Sequence, residues 1–468
     1  MKSTLEADVA VLGGGPGGYV AAIRASQLGG RVILVEKEKV GGICLNKGCI
    51  PTKALAKSSE IIYNLSKAKE YGITVGQISV DYPAIQRRKD MVVETVVKGV
   101  EKLLKSNGVK LIQGIGKLLN REEIEVKKTD GTKVNVRARK IILATGSRTL
   151  DPSALGFGGK GVINTDEALE LKEAPKSMLV VGAGPSGLEM ACIFKQMGSK
   201  VTVIEMLPQI LPTEDSEIAT LLQEALEMAG IKIYTRSKFK GIITEEGKRK
   251  AVFTTEKGEV AIEADTILMA FGRATNIDDL GLEAAGVKVE KRRIVVVNNK
   301  METTTPNIYA IGDAIGNLYA HEASAGGVVA AENAMGKDAH MDYKVVPRCV
   351  FTIPEVSAVG LTEAQATETG RKVKVGRFPF TASGRALTLG EQDGLIKIVA
   401  DSETDEILGM HILGYDAAEL VAEAALAIKL ECTIDEIVNT IHAHPTLAEA
   451  IKEAALDARG EAIHNIKK

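Results

Sequence analysis

The sequence predicts an α/β chain with two dinucleotide-binding domains and a C-terminal domain of different character. Three observations predict it. A strand, glycine turn, helix, strand and acid follow one another from Asp8 to Glu36. The same series recurs from Met178 to Glu205. No glycine fingerprint follows after about residue 342, so the chain changes character there.

Length and composition set the bounds. A chain of 468 residues exceeds one core, so two to four domains are expected. The net charge of −2 carries no footprint for nucleic acid and no preference for an anionic membrane. Tryptophan is absent and aromatic content is 4%, which argues against base-stacking platforms. The N-terminal residues Met1 to Glu6 lack the apolar core of a secretion signal, and no apolar run is long enough to span a bilayer. Five cysteines with one close pair do not make a secreted disulfide framework, so a cytoplasmic location is the default expectation.

The first element is the strand Asp8 to Leu12. Gly13, Gly15 and Gly18 then fit G-x-G-x-x-G, Tyr19 to Ala25 reads as the following helix, and Arg31 to Val35 as the next strand. Such glycines let the backbone approach a pyrophosphate at a helix N-terminus, where free N–H groups favour the anion. Glu36 lies 18 residues beyond Gly18, near where an acid holds a ribose 2′-hydroxyl. A lone fingerprint is weak evidence; strand, helix, strand and acid in order make it a dinucleotide site.

Next comes Gly41-Gly42-Ile43-Cys44-Leu45-Asn46-Lys47-Gly48-Cys49-Ile50-Pro51-Thr52-Lys53. In a cytosolic chain a close cysteine pair is more often catalytic or metal-binding than structural. Cys44 and Cys49 are most readily read as a redox-active disulfide; two unrelated buried cysteines are the bland alternative. On a regular helix, residues five apart have Cα atoms about 8–9 Å apart, whereas a disulfide needs less than about 7 Å. A bridge therefore requires the helix to break between them, and Gly48 permits that.

Residues 54–106 carry helical patterns with Lys and Glu on a solvated face. Ile112 to Val136 alternates like strands, with an Asp130-Gly131 turn. The strand Ile141 to Leu143 runs into Ala144-Thr145-Gly146. The second fingerprint, Gly182, Gly184 and Gly187, follows the strand Met178 to Val181, and Glu205 closes the strand Val201 to Ile204. Gly187 to Glu205 repeats the offset of 18, and the two fingerprints lie 169 residues apart. Glu205 favours NAD over NADP, because a carboxylate accepts a 2′-hydroxyl and repels a 2′-phosphate; Met206 and Leu207 follow it, not arginines. Ile308 to Ala314 holds a third turn, Gly312-Asp313, and His442-Ala443-His444-Pro445-Thr446-Leu447-Ala448-Glu449 brings two of the six histidines together. On spacing alone each of these two is more readily structural than catalytic.

Together these motifs resemble the pyridine nucleotide-disulfide oxidoreductases. The cysteine loop is most similar to the branch that oxidises dihydrolipoyl groups, departing from its pattern at Ile43, Thr52 and, mildly, Lys47. The resemblance runs the length of the chain. It implies FAD at the first fingerprint, with Lys53, Thr145, Gly146, Asp313 and Ala320 among the residues near the flavin. It implies NAD at the second, with Lys53 paired to Glu189. Arg273 falls at the family's Gly-Arg re-entry point and is read as structural or close to NAD. The implied segments are 1–146 for FAD, 147–272 for NAD, 273–341 as a return to the FAD domain, and 342–468 as a dimerisation domain. The match of Phe351 to Glu363, Phe378 to Phe380 and Asp393 to Ile398 supports the last of these.

By the same resemblance Cys44 is the interchange sulfur and Cys49 the flavin-facing one. His444 is the base and Glu449 orients it, supplied from the other subunit of a homodimer. His442 receives no role. The implied reaction is oxidation of protein-bound dihydrolipoyl groups with NAD. The implied partner is a lipoylated carrier, of a 2-oxoacid dehydrogenase complex or of glycine cleavage. Another FAD-dependent disulfide reductase, such as one for glutathione, is disfavoured by Glu205 and by the Leu45-Asn46-Lys47-Gly48-Cys49-Ile50 loop. Mercuric reduction is disfavoured because no C-terminal cysteine pair exists. Outside enzymes, a flavin-binding scaffold subunit is the competing reading. Pro185-Ser186 and Glu322 depart from the family's usual residues.

Overall fold

Strand pairing was traced in a computed structural model that describes residues 4–245, 248–290 and 294–466. Of the N-terminal stretch read for a secretion signal, Met1, Lys2 and Ser3 lie outside the described residues. The chain divides into two compact units. One comprises Met1–Leu55, Pro83–Leu150 and Gly272–Asp342; the other comprises Ala56–Tyr82, Asp151–Phe271 and Tyr343–Lys468.

In the first unit the strand Thr4–Leu12 lies parallel to Val32–Glu36 and to Lys133–Leu143. Val32–Glu36 continues parallel to Lys110–Leu118, and Ile308–Ala310 joins the far side of Lys133–Leu143. Every residue of Val32–Glu36 is buried, the mark of a strand covered on both faces. Alternate residues divide between two cores. Val9, Val11, Leu34 and Ile142 face one cluster; Ala10, Leu12, Ile33, Val35, Ile141 and Leu143 face the other. The helix Pro16–Gln27 carries its proline at the first turn, where the missing N–H costs nothing, and buries Gly17, Gly18, Ala21, Ala22 and Ala25. These small side chains let it pack closely on the helix Ala320–Ala334.

In the second unit, among the described residues, five parallel strands run in the order Lys232–Tyr234, Lys200–Ile204, Ser177–Val181, Thr266–Met269 and Val162–Asn164. The helix Pro185–Gln196 again starts with proline. The C-terminal part of this unit is antiparallel: Arg348–Val350, Glu355–Gly360, Ile407–Gly414, Leu395–Asp401 and Val373–Pro379 form one sheet. The helices Ala417–Lys429 and Glu449–Asp457 pack on it, through a core that includes Ile396, Ile412, Val421, Ala424, Ile451 and Ala454. Two Rossmann-like sheets are what the fingerprints predict, and an α+β C-terminal part is what the family resemblance implies.

The expected helices of 54–106 are Cys49–Lys67 and Tyr82–Ser106. Lys89 departs from the expected solvated face. Its side chain is 2% exposed and its ammonium is 3.1 Å from the Asp90 carboxylate.

Candidate active site

At the first fingerprint the glycines are fixed by space. Gly13 has φ of 102°, and a Cβ there would lie 2.2 Å from the Ala144 carbonyl oxygen; a Cβ on Gly18 would lie 1.9 Å from the Gly13 carbonyl oxygen. The second fingerprint repeats the arrangement, with Gly182 at φ 105° against Ala270 and a Gly187 Cβ 2.0 Å from the Gly182 oxygen. Gly15 and Gly184 are the residues preceding the two helices, in extended backbone and with no side chain over the first turn. The turns are thus open cradles of backbone N–H groups, suited to a pyrophosphate.

The two acids also match. The buried Glu36 accepts the N–H of Gly14 on Oε2 at 2.6 Å and of Glu38 on Oε1 at 2.7 Å. Glu205, likewise buried, accepts the N–H of Ala183 on Oε2 at 2.8 Å and of Leu207 on Oε1 at 2.9 Å. Each carboxylate joins its glycine turn to the residue two beyond it and keeps lone pairs for a ribose hydroxyl.

The cysteine loop is folded onto the first turn. Gly42 has φ of 56°, and a Cβ there would lie 2.7 Å from the Cα of Gly15. The helix Gly42–Lys47 ends at Gly48, and a second helix starts at Cys49. The break falls where a close cysteine pair requires it. Asn46 holds the loop by donating from Nδ2 to the carbonyls of Gly42 and Val40, at 2.8 and 3.1 Å. Cys44 and Cys49 stand close enough for their side chains to hydrogen-bond. That bond, and then burial, push the Cys44 thiol well above the usual thiol range, while the Lys53 ammonium pulls the other way.

Three further residues of the first unit form one cluster. Ser147 donates its hydroxyl to Asp313, and Arg273 Nε donates to Ser147 Oγ at 2.7 Å. Arg273 is therefore anchored beside Asp313, 3.9 Å away. Next to this cluster Thr145 Oγ1 is buried with no hydrogen-bond partner. An orphaned hydroxyl there, beside the open turn at Gly13, fits a bound polar group such as the phosphate or ribityl part of a flavin nucleotide. Gly146, with φ of 66°, is tied by its carbonyl to the N–H of Asn276. Ala320 opens the helix Ala320–Ala334, and burial, then the Asp313 charge, raise the carboxyl of Glu322 two residues on.

In the second unit Glu189 is buried and accepts the N–H of Phe351 at 3.0 Å. His444 and Glu449 meet as a dyad, Nδ1 to Oε1 at 2.8 Å. The imidazole is 80% exposed, so its Nε2 side is open to a reacting group. Burial works against the Glu449 charge, but the Thr446 N–H, 2.8 Å from Oε2, and His444 outweigh it and hold the carboxyl below its ordinary range. His442, without a role in the sequence, has a partner of its own: Nε2 lies 2.9 Å from Glu423 Oε1. Sequence reasoning missed Glu423 and Ser147. Neither belongs to a spaced motif; only the fold brings them in. Among the described residues no helix is long and apolar enough to cross a membrane.

Comparison with known proteins agrees with this geometry. The chain is 45% identical to dihydrolipoyl dehydrogenase of Thermus scotoductus over 462 residues, covering 98% of each. It is 42% identical to dihydrolipoyl dehydrogenase of Bacillus subtilis, covering 98% of this chain and 99% of the relative. Among solved structures, LpdA from Mycobacterium tuberculosis superposes with a TM-score of 0.89 at 25% identity, covering 96% of this chain and 99% of that one. Residues 7–337 match the pyridine nucleotide-disulphide oxidoreductase description and residues 346–455 its dimerisation domain, so the chain belongs to the pyridine nucleotide-disulphide oxidoreductase family.

Proposed function

We propose that the chain is an NAD-linked dihydrolipoyl dehydrogenase working as a cytoplasmic homodimer on a lipoylated carrier. The observation that carries this reading is the thiol pair of Cys44 and Cys49, folded through Gly42 onto the first nucleotide turn at Gly15. Curated relatives of that name at 41–45% identity support it.

Gly13, Gly15, Gly18, Glu36, Thr145, Gly146, Asp313 and Ala320 hold FAD in this reading, with Lys53 beside it. Gly182, Gly184, Gly187 and Glu205 hold NAD, Glu189 pairs with Lys53, and Arg273 supports Asp313. Residues 1–146 and 273–341 make the FAD part, 147–272 the NAD part and 342–468 the dimer interface. Bound FAD supplies two-electron chemistry between the thiol pair and the nicotinamide coenzyme.

The chain's own residues do the thiol chemistry. In the disulfide form, a dihydrolipoyl thiol gives its proton to His444, and its sulfur bonds to Cys44 as the Cys44–Cys49 bond breaks and Cys49 leaves as thiolate. The second dihydrolipoyl thiol then attacks the first lipoyl sulfur and closes the lipoyl ring; the bond to Cys44 breaks and Cys44 takes up that thiol's proton, so that the site ends with a Cys44 thiol, a Cys49 thiolate and the first proton on His444. Glu449 on Nδ1 fixes the imidazole tautomer and stabilises its charged form.

A steady-state assay of purified protein with dihydrolipoamide, against NAD and NADP, tests the reading; turnover with dihydrolipoamide and preference for NAD are expected. A positioned base contributes about 10²–10⁴-fold. His444→Gln is expected to lose roughly that factor with dihydrolipoamide and to spare NADH-to-ferricyanide activity. Parallel loss of both, in a variant that still binds FAD and dimerises, would make His444 structural.

A further inference from the structure

Two imidazole–carboxylate pairs sit two residues apart on one loop, and they differ in burial. The side chain of His444 is 80% exposed; that of His442 is 5% exposed. Opposite the two nitrogens of the buried ring stand two oxygen acceptors. Nε2 is 2.9 Å from Glu423 Oε1, and Nδ1 is 3.2 Å from the Thr440 carbonyl oxygen. One donated bond therefore survives whichever nitrogen carries the proton. Glu423 belongs to the helix Ala417–Lys429, whose Val421, Ala424, Ala427 and Ile428 are locked into the core of the C-terminal sheet.

The loop needs such a tether. It connects the helices Ile434–Asn439 and Glu449–Asp457. Among the described residues, the backbone N–H groups from Ile441 to His444 donate to nothing within the chain, so no backbone ladder sets the path there. Downstream of His444 the loop is held by buried Leu447 and by the bonds that Thr446 makes to Glu449 and to the Ala443 carbonyl. Upstream, Thr440 Oγ1 donates to the Glu436 carbonyl of the preceding helix, and His442 reaches the separate helix Ala417–Lys429 through Glu423. The exposed base stands between the two anchors.

We propose that His442 is a positioning residue for the His444 base, holding the loop through Glu423 so that the His444 imidazole is presented at a fixed angle. The inference rests on the reading of His444 as the base. A misplacement of about 1 Å costs on the order of 10²-fold in rate.

The test uses full-length, FAD-loaded protein and two assays, dihydrolipoamide with NAD and NADH with ferricyanide. His442→Ala is expected to lower kcat with dihydrolipoamide by roughly 10–10²-fold, with KM for NAD and the ferricyanide rate unchanged. His442→Gln, whose amide N–H can meet one acceptor, is expected to recover part of the loss. Glu423→Gln should fall between wild type and His442→Ala, and it carries the test if His442→Ala does not fold. Adding His442→Ala to His444→Gln should cost nothing further, since the first residue acts through the second. Wild-type dihydrolipoamide turnover in His442→Ala, loss of both activities together, or losses that multiply in the double variant would each overturn the proposal. Failure of the base reading looks different: His444→Gln would itself retain dihydrolipoamide turnover.

Discussion

Glu36 and Glu205 stand at the same offset from their glycines, and that offset is legible in the sequence. Their backbone partners are not legible, because a main-chain donor has no letter. The structure adds that each acid also holds two backbone N–H groups in place. This changes what a coenzyme switch should cost. Glu205→Ala strands the buried N–H of Ala183, and a buried unpaired donor costs about 1–3 kcal/mol. Glu205→Gln keeps one acceptor oxygen and should be milder. Met206 is 63% exposed, so an arginine there has room beside a 2′-phosphate. Glu205→Gln with Met206→Arg is expected to move the kcat/KM ratio toward NADP at a smaller loss of urea midpoint than Glu205→Ala with Met206→Arg. Equal kcat/KM for NAD and NADP in the wild type would remove Glu205 as the selector. The partners of His442 show the same limit. Glu423 lies 19 residues upstream, at no helical or motif spacing, and only the packing of one helix beside one loop brings it near.

Elements with a strong period were readable. The strands at Asp8, Ile141, Met178 and Val201 are all present, some lengthened by a residue or more. Sequence pattern served less well where a charge is buried among apolar neighbours. Lys397 lies in Leu395–Asp401, a strand buried along its whole length, and its ammonium meets Asp215, Glu217 and Glu363 at 2.9–3.0 Å. Those acids are far away in sequence. Glu355 is a second such case, with a measurable pH dependence. Its Oε2 accepts the N–H of Ala418 in the first turn of Ala417–Lys429, where a carboxylate complements free N–H groups and the helix dipole. Burial nevertheless pushes its carboxyl up to about 7, with Asp416, Glu60 and Glu419 adding to the effect. A carboxyl raised in the folded state stabilises the fold below its ordinary range and loses that contribution as pH rises through about 7. Thermal midpoints are therefore expected to fall between pH 5 and pH 8 by an amount that Glu355→Gln abolishes. Identical slopes for wild type and variant would show that Glu355 titrates normally.

On the scale of the whole molecule, the fold class was legible in the two local glycine turns, whereas the reaction came from the family resemblance, since spacing alone favoured a structural role for both histidines. The family's dimerisation domain spans 346–455, and His444 lies within it while Cys44 and Cys49 lie in the other unit. If each base serves the partner's thiols, two dead chains can repair one another. In the proposed reaction, Cys44→Ser lacks the interchange sulfur and His444→Gln lacks the base. Dissociated, mixed in equal amounts and reassociated, they form hybrids in which one of the two sites is whole. Random pairing gives roughly a quarter of wild-type dihydrolipoamide turnover. A mixture no better than its components would place thiols and base in the same subunit.

The carboxylates bonded across both glycine turns have a calorimetric consequence. A loop already tethered at Gly14 or Ala183 loses little conformational freedom when a nucleotide settles on it, so its ordering belongs to folding and not to association. Titration of NAD into the FAD-loaded protein should therefore carry a heat-capacity change matching the apolar area of the ligand alone, without the larger negative signature of a segment that folds as it binds.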